Sequence, residues 1–256
     1  MAAPALRAAE REIRIFSRMW RGSVVTMFLW PILMLLAMGV GLGDLVEDET
    51  PELDGLTYVA FITPALMVVN AVQTAIGFSM WPVMAGHRWL GFHRAMVATP
   101  LTPTSVLGGH LTFLAVRSLA MAAVFGGVAA LLGGVESWWG LLALPVTSLA
   151  ALAVAAPSAA HGARAEMDHS FDPIMRIVVT PMVLFSGTFF PVEQLPVVLE
   201  LAVKILPLWH GVELARDATS GTVEAGTALG HTAVLVAYLA VGWVWARREF
   251  TRRLTS

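Results

Sequence analysis

Residues 57–84 read TYVAFITPALMVVNAVQTAIGFSMWPVM, with no Asp, Glu, Lys or Arg among them. The run exceeds the roughly 20 mostly apolar residues that cross a hydrocarbon core, so it predicts a membrane span. Directly after it comes AGHRWLGFHRAMVATPLTP, residues 85–103, basic and closed by prolines. Five further segments have the same character: 23–43, 105–132, 138–160, 174–190 and 227–246. The predicted fold is therefore an all-α membrane protein with six spans. Residues 191–208 are also apolar but are cut by Pro191, Pro196 and Pro207, which predicts a re-entrant or interfacial piece rather than a seventh span.

The composition agrees. Of 256 residues, 57% are hydrophobic and only 13% charged, with a mean hydropathy of +0.73. Soluble domains carry about 45–50% apolar and about 25% charged residues. There is no cysteine, which removes disulfides, thiolate metal sites and cysteine nucleophiles together. Residues 6–21 are arginine-rich but amphipathic, and no small-residue cleavage site follows the next apolar run. They do not read as a secretory signal and are expected in the mature protein.

Charge sets the expected orientation. Arg7, Arg11, Arg14, Arg18, Arg21, Arg88, Arg94, Arg164, Arg176, Arg247, Arg248, Arg252 and Arg253 all fall on one side of a six-span chain, 13 of the 16 basic residues. Lys204 and Arg216 fall on the other, and Arg117 lies within the third span. Asp44, Glu47, Asp48, Glu49, Glu52 and Asp54 make the first opposite loop acidic. Both termini are therefore expected in the cytoplasm of a bacterial plasma membrane.

In residues 6–21, Leu6, Ala9, Ile13, Phe16 and Trp20 recur at steps of three and four, and five arginines repeat with the same rhythm one position on. The two sets fall on opposing faces of a helix. Such a helix lies in the membrane interface as an anchor, or docks a partner, or both. The 85–103 loop has the same two readings: a surface helix, or a short lever between the bundle and a soluble partner.

No Gly-x-x-x-x-Gly-Lys-Ser/Thr occurs, and the single lysine, Lys204, lies in an apolar segment, so the chain has no P-loop to cradle nucleotide phosphates. Gly39, Gly41 and Gly43 end a membrane run and read as close-packing positions. Ser186–Gly187 with His210 downstream outlines a serine hydrolase, but Leu184 stands where a glycine is usual, and His210 falls in an expected outside loop. His161, Glu166, Asp168, His169 and Asp172 lack a His-Glu-x-x-His spacing and read as a solvated inside loop. Polar residues within spans are costly and face bundle interiors. Asn70 and Gln73 are expected to hydrogen-bond between helices or to line a path; His110 lies nearer the inner end of the third span. Arg117 is expected either to snorkel to the surface or to serve a function. No Asp or Glu sits clearly inside a span and no half repeats, which weighs against the alternative of an ion-gradient-driven transporter or channel.

Three stretches resemble the permease subunits of ABC type-2 exporters, in the branch that includes the nodulation lipo-oligosaccharide exporter and actinobacterial drug and lipid exporters. They are the arginine-rich start leading into WPILMLLAMGVGLG, the loop FHRAMVATPLTPTSVLGGHL, and TPMVLFSGTFFPVEQLPVVLELAVKILPLWHGVELAR from Thr180 to Arg216. The resemblance implies one domain over 1–256: an interfacial helix (1–22), a six-span bundle (23–246) and a basic tail (247–256). It implies a second permease copy, identical or not, and separate P-loop ATPase subunits that carry ATP and Mg. No cofactor and no catalytic residue are expected on this chain. Residues 85–103 would be the coupling helix, with Arg88, Trp89, Phe92, His93, Arg94, Thr99 and Pro100 toward the ATPase, where Arg7, Arg11, Arg14 and Arg18 of the interfacial helix would also lie. Many relatives have an acidic residue where this chain reads Phe92-His93-Arg94. Asn70, Gln73, Arg117, Ser186 and Phe189 are the candidate cargo path, and the cargo a drug, lipid or lipid-linked saccharide.

Overall fold

The computed structural model describes residues 2–24, 29–41, 56–189 and 191–255. Among them every regular element is helical, as a chain in lipid requires, because only internally hydrogen-bonded backbone is tolerated there. The acidic loop expected at residues 44–54 and parts of the first span lie outside the described residues. So does the side chain of Trp20.

Helix α1 runs Ala2–Val24. α2, Trp30–Met34, continues as a π-helix over Leu35–Val40. The long α3, Tyr58–Arg88, starts on an N-cap in which Thr57 accepts a hydrogen bond from the Ala60 amide. The short α4, Phe92–Val97, follows a turn at Gly91, whose φ of +63° favours glycine. α5 is Pro103–Leu131, with proline in its first turn and Thr102 as cap. A 3₁₀ turn, Trp138–Leu142, leads into α6, Ala143–Arg164. A π-helix, Ile174–Val179, joins α7, Thr180–Phe185. α8, Val197–Ile205, and α9, Pro207–Ser220, precede α10, Ala225–Thr255.

Four of these are long and apolar enough to cross a membrane: α3, α5, the 3₁₀ turn with α6, and α10. The expected span at 174–190 differs. It holds six π-helical and six α-helical residues and stops at Ser186, where Gly187 takes a left-handed φ of +75°. That is short of a full crossing. Residues 191–208 form a 3₁₀ turn and α8, and Pro207 begins α9. His210, expected in a loop, is instead buried within α9. The basic tail is not a loop either: α10 stays helical through Thr255.

α6 is the hub, packed against α3, α10, α5 and α9. Its inward residues are mostly alanine, with Ala150, Ala151, Ala153, Ala155, Ala156, Ala159 and Ala160 fully enclosed. Small residues let helix backbones approach closely. A Cβ on Gly162 would stand 2.5 Å from the Ser79 carbonyl oxygen of α3, and one on Gly242 of α10 would strike Pro157. Because neither backbone can recede without opening the core, Gly162→Val is expected to destabilise the bundle by about 1–3 kcal/mol, the usual overpacking cost. A lowered midpoint for thermal loss of the monodisperse gel-filtration peak reads this out.

Candidate functional site

At the arginine-rich end of the bundle, α4 is held from three sides. His93 is buried, with its ring centroid 4.3 Å from His87 of α3 and 5.7 Å from Phe250 of α10. His87 in turn meets Phe250 edge-on at 4.8 Å. On the other flank Arg11 of α1 lies 3.8 Å over the Phe92 ring, a cation–π contact. Below, Glu166 accepts from Arg88 at 2.9 Å and stands 3.8 Å from Arg253, which donates to the Arg164 carbonyl at 2.8 Å. The ends of α3, α6 and α10 are thereby tied beneath α4.

The expected coupling residues thus divide. Trp89, Arg94, Thr99 and Pro100 face outward, Phe92 is half-buried under Arg11, His93 is the buried anchor, and Arg88 is paired with Glu166. Leu90, 70% exposed, joins the outward set. Sequence reasoning missed it, as it missed Phe250 and Glu166. Phe250 was legible as the continuation of the stripe Leu235, Leu239, Gly242, Ala246 beyond the expected end of the last span; nothing in the sequence singled out Glu166 as a clamp.

In α1, Arg7, Arg14 and Arg18 are exposed and with Glu10, Arg11 and Ile15 line a cationic concavity of about 330 Å³. Arg14 pairs with Glu10 at 2.5 Å. The helix packs along α5 through Ala5, Ala8 and Phe16 against Gly108, Gly109 and Phe113. Leu6 and Ile13, expected on the face toward the acyl chains, are not covered by protein. The protein contact is therefore narrower than the apolar face, because the helix turns its alanines to the α5 glycines.

The expected cargo-path residues do not converge. Arg117 is 9% exposed, stacked 3.9 Å from Phe78 and 5.1 Å from Phe16, with Nε and Nη1 unpartnered; it does not snorkel into the open. Asn70 accepts from Thr74 within its own helix at 3.5 Å, and Gln73 is exposed one turn on, so neither bonds between helices here. Phe189 packs against the main core. Ser186 is fully buried and pairs with Thr188 at 3.4 Å. The hydrolase reading gains nothing: His210 spends Nε2 on the Lys204 carbonyl at 2.9 Å and Nδ1 on His231 at 2.7 Å. A carbonyl only accepts, so Nε2 carries the proton and His231 donates to Nδ1 in the neutral pair. Arg216 pairs with Glu213 and donates to the Gly187 carbonyl at 2.6 Å, pinning the turn that ends α7. No metal-binding group of three His, Cys, Asp or Glu occurs among the described residues. Of the five residues at 161–172, His161 is half-buried and the other four are exposed.

Residues 7–219 match the model of the ABC-2 type transporter family. The chain belongs to that family. Among curated relatives of this ABC-2 permease, nodulation protein J of Rhizobium leguminosarum bv. viciae is 31% identical, over 88% of this chain and 85% of the relative. Nodulation protein J of Rhizobium meliloti strain 1021 is 31% identical over 88% and 84%, and that of Bradyrhizobium diazoefficiens 28% over 88% and 84%. No solved structure matches the permease significantly. It is a multi-pass membrane protein of the export type.

The α4 seat is expected to depend on pH. Burial holds the His93 imidazole far below its ordinary 6.5, helped by His87, His110 and Arg11, all of which oppose a further positive charge. A depressed imidazole makes the unfolded or unseated state bind more protons, so the seat is strongest above pH 6.5 and weakens as pH falls through it. Hydrogen-exchange protection of residues 92–98 is expected to drop below pH 6.5, and His93→Phe to reduce that dependence, leaving the share of the neighbouring His87.

Proposed function

We propose that the chain is the membrane subunit of an ATP-driven exporter whose nucleotide hydrolysis takes place on a separate P-loop ATPase. The observation that carries this reading is the α4 platform: a short helix anchored on two spans and flanked by the arginines of α1, presenting Trp89, Leu90, Arg94, Thr99 and Pro100 outward. α4 serves as the coupling helix, and Arg7, Arg11, Arg14 and Arg18 extend the docking surface along an interfacial α1. ATP and Mg stay on the partner, and this chain binds no cofactor and performs no covalent chemistry. Both termini face the cytoplasm, the six expected spans form one bundle, with the π-helix and α7 as a fifth that is broken at Gly187, and α8 forms the re-entrant outer part. A second permease copy completes the path.

The proposed cargo is hydrophobic or amphipathic: a drug, lipid or lipid-linked saccharide. Family resemblance and the partly exposed stripe of Asn70, Gln73, Thr74 and Gly77 on the otherwise buried α3 support a path on that face. Nucleotide binding would act by favouring one of two permease states, through differential affinity.

Mild-detergent purification from native membranes is expected to recover a P-loop ATPase in about equal amount, with ATP hydrolysis in the eluate. Recovery of this chain alone under several gentle detergents overturns the reading. Arg94→Glu is expected to weaken ATPase capture by about tenfold or more, roughly 1.4 kcal/mol, by reversing the charge of an outward-facing side chain on the docking surface. Membrane insertion should be unchanged, and normal capture would remove α4 from the interface.

A further inference from the structure

Two cavities meet at His161. One, of about 420 Å³, is lined by Arg164, Glu166, His169 and Ser170 together with the apolar Ala165 and Met167 at the arginine-rich end. The other, of about 250 Å³, is almost wholly apolar and runs between the π-helix before α7 and helix α10, over a floor from α3 and α6. His161 lines both, and its Nε2 has no hydrogen-bond partner. Charged and polar side chains gathered beside an apolar slot, with His161 in both linings, suit an amphiphile better than a soluble ligand.

The slot has a depth and an end. Along α6 its wall runs from His161 to Ala153, and along α10 from Trp245 to Tyr238. Each is about two helical turns, roughly 12 Å, close to the ~15 Å of one leaflet of a ~30 Å core. At the far end Leu206 and Pro207 close it, and the Tyr238 hydroxyl donates to the Ile205 carbonyl at 2.9 Å. Tyr238 stands near the middle of α10, so the closure lies near the bilayer midplane. The side is open between Val178, 50% exposed, and Trp245, 38% exposed.

We propose that this pair of cavities binds a phospholipid from the leaflet at the arginine-rich end, one acyl chain in the slot and the headgroup phosphate beside Arg164 and His161. The surrounding bilayer supplies such a chain at the open side, and the slot ends where one leaflet ends. Among the described residues Arg164 has no acidic partner for its side chain, while neighbouring Glu166 is engaged by Arg88 and Arg253, which leaves the Arg164 guanidinium for a phosphate oxygen. The bound chain fills the gap that the short α7 segment leaves against α10, so the lipid acts as part of the wall. The site does not depend on what the protein exports.

The test is photolabelling in nanodiscs with a phospholipid carrying a diazirine midway along one acyl chain. Labelled peptides are mapped for the full-length protein, for Val178→Trp, which closes the open side from an exposed position, and for Ala153→Phe, which fills the floor. The expected result is label concentrated at residues 153–161, 174–182 and 238–245, lost in Val178→Trp while label on α5 stays unchanged. A head-labelled phospholipid should lose its mark at 161–170 in Arg164→Gln. Gel filtration of each variant guards against misfolding, and Val178→Trp decides the matter if Ala153→Phe does not fold. Even labelling of all lipid-facing helices, label unaffected by Val178→Trp, or those segments unlabelled because a second copy or another amphiphile covers them, overturns the proposal.

Discussion

The alanine face of α6 brings three other helices so close that side chains larger than a methyl group have no room between them. Within lipid there is no gain from hiding an apolar surface, since the tails are as apolar as leucine, so packing contacts have to come from proximity. Gly162 against α3, Gly242 against Pro157 of α6 and Gly211 of α9 against Ala150 are three instances of this one constraint. The position of α9 follows from it, and so do the placement of His210 beside His231 and the Arg216 contact to the Gly187 carbonyl that ends α7. At the other end, the separation of α3 and α10 set by α6 is what lets His87 and Phe250 take His93 between them.

The two ends of the molecule are stabilised by different means. At the arginine-rich end the anchoring groups are aromatic and imidazole rings, with a carboxylate, Glu166, shared by two guanidiniums. Exposed ion pairs contribute about 0–1 kcal/mol each, and the Glu166 side chain is 73% exposed, so Phe250 and His93 carry more of the attachment than the charges do. At the opposite end polar atoms are enclosed: Ser186 and Thr188 are fully buried and Arg216 is paired. An enclosed polar group that keeps its partners specifies one geometry, whereas a stacked ring tolerates small rotations. A platform held by rings can rock without breaking a hydrogen bond.

Much of this was legible in the sequence. Uninterrupted apolar runs gave α3, α5, α6 and the start of α10 to within a few residues, because four long helices in lipid need little else. The 85–103 loop revealed its helix through its basic, amphipathic core and the closing prolines. What failed had physical reasons. Hydropathy cannot separate a full span from a helix that stops at a left-handed glycine, so 174–190 read as a crossing. It also cannot see that His210, just after the proline-punctuated stretch 191–208, belongs to a buried helix. Arg117 and Ser186 were grouped by polarity alone, and the fold puts one beside Phe16 and the other beneath α9. The last span was cut at Ala246 because the arginines after it read as a tail, although the apolar stripe continues to Phe250.

Phe250 is synthesised long after His93, once α3, α5 and α6 have already left the ribosome. Until α10 docks, the imidazole of His93 has His87 of α3 and its own neighbour Phe92 to rest on but lacks Phe250, and Leu90 remains an apolar group on a hairpin held on fewer sides. The platform is therefore assembled last, as a by-product of completing the bundle. During biogenesis this orders events: a partially inserted chain has no rigid α4 surface, so whatever docks there has to wait for α10.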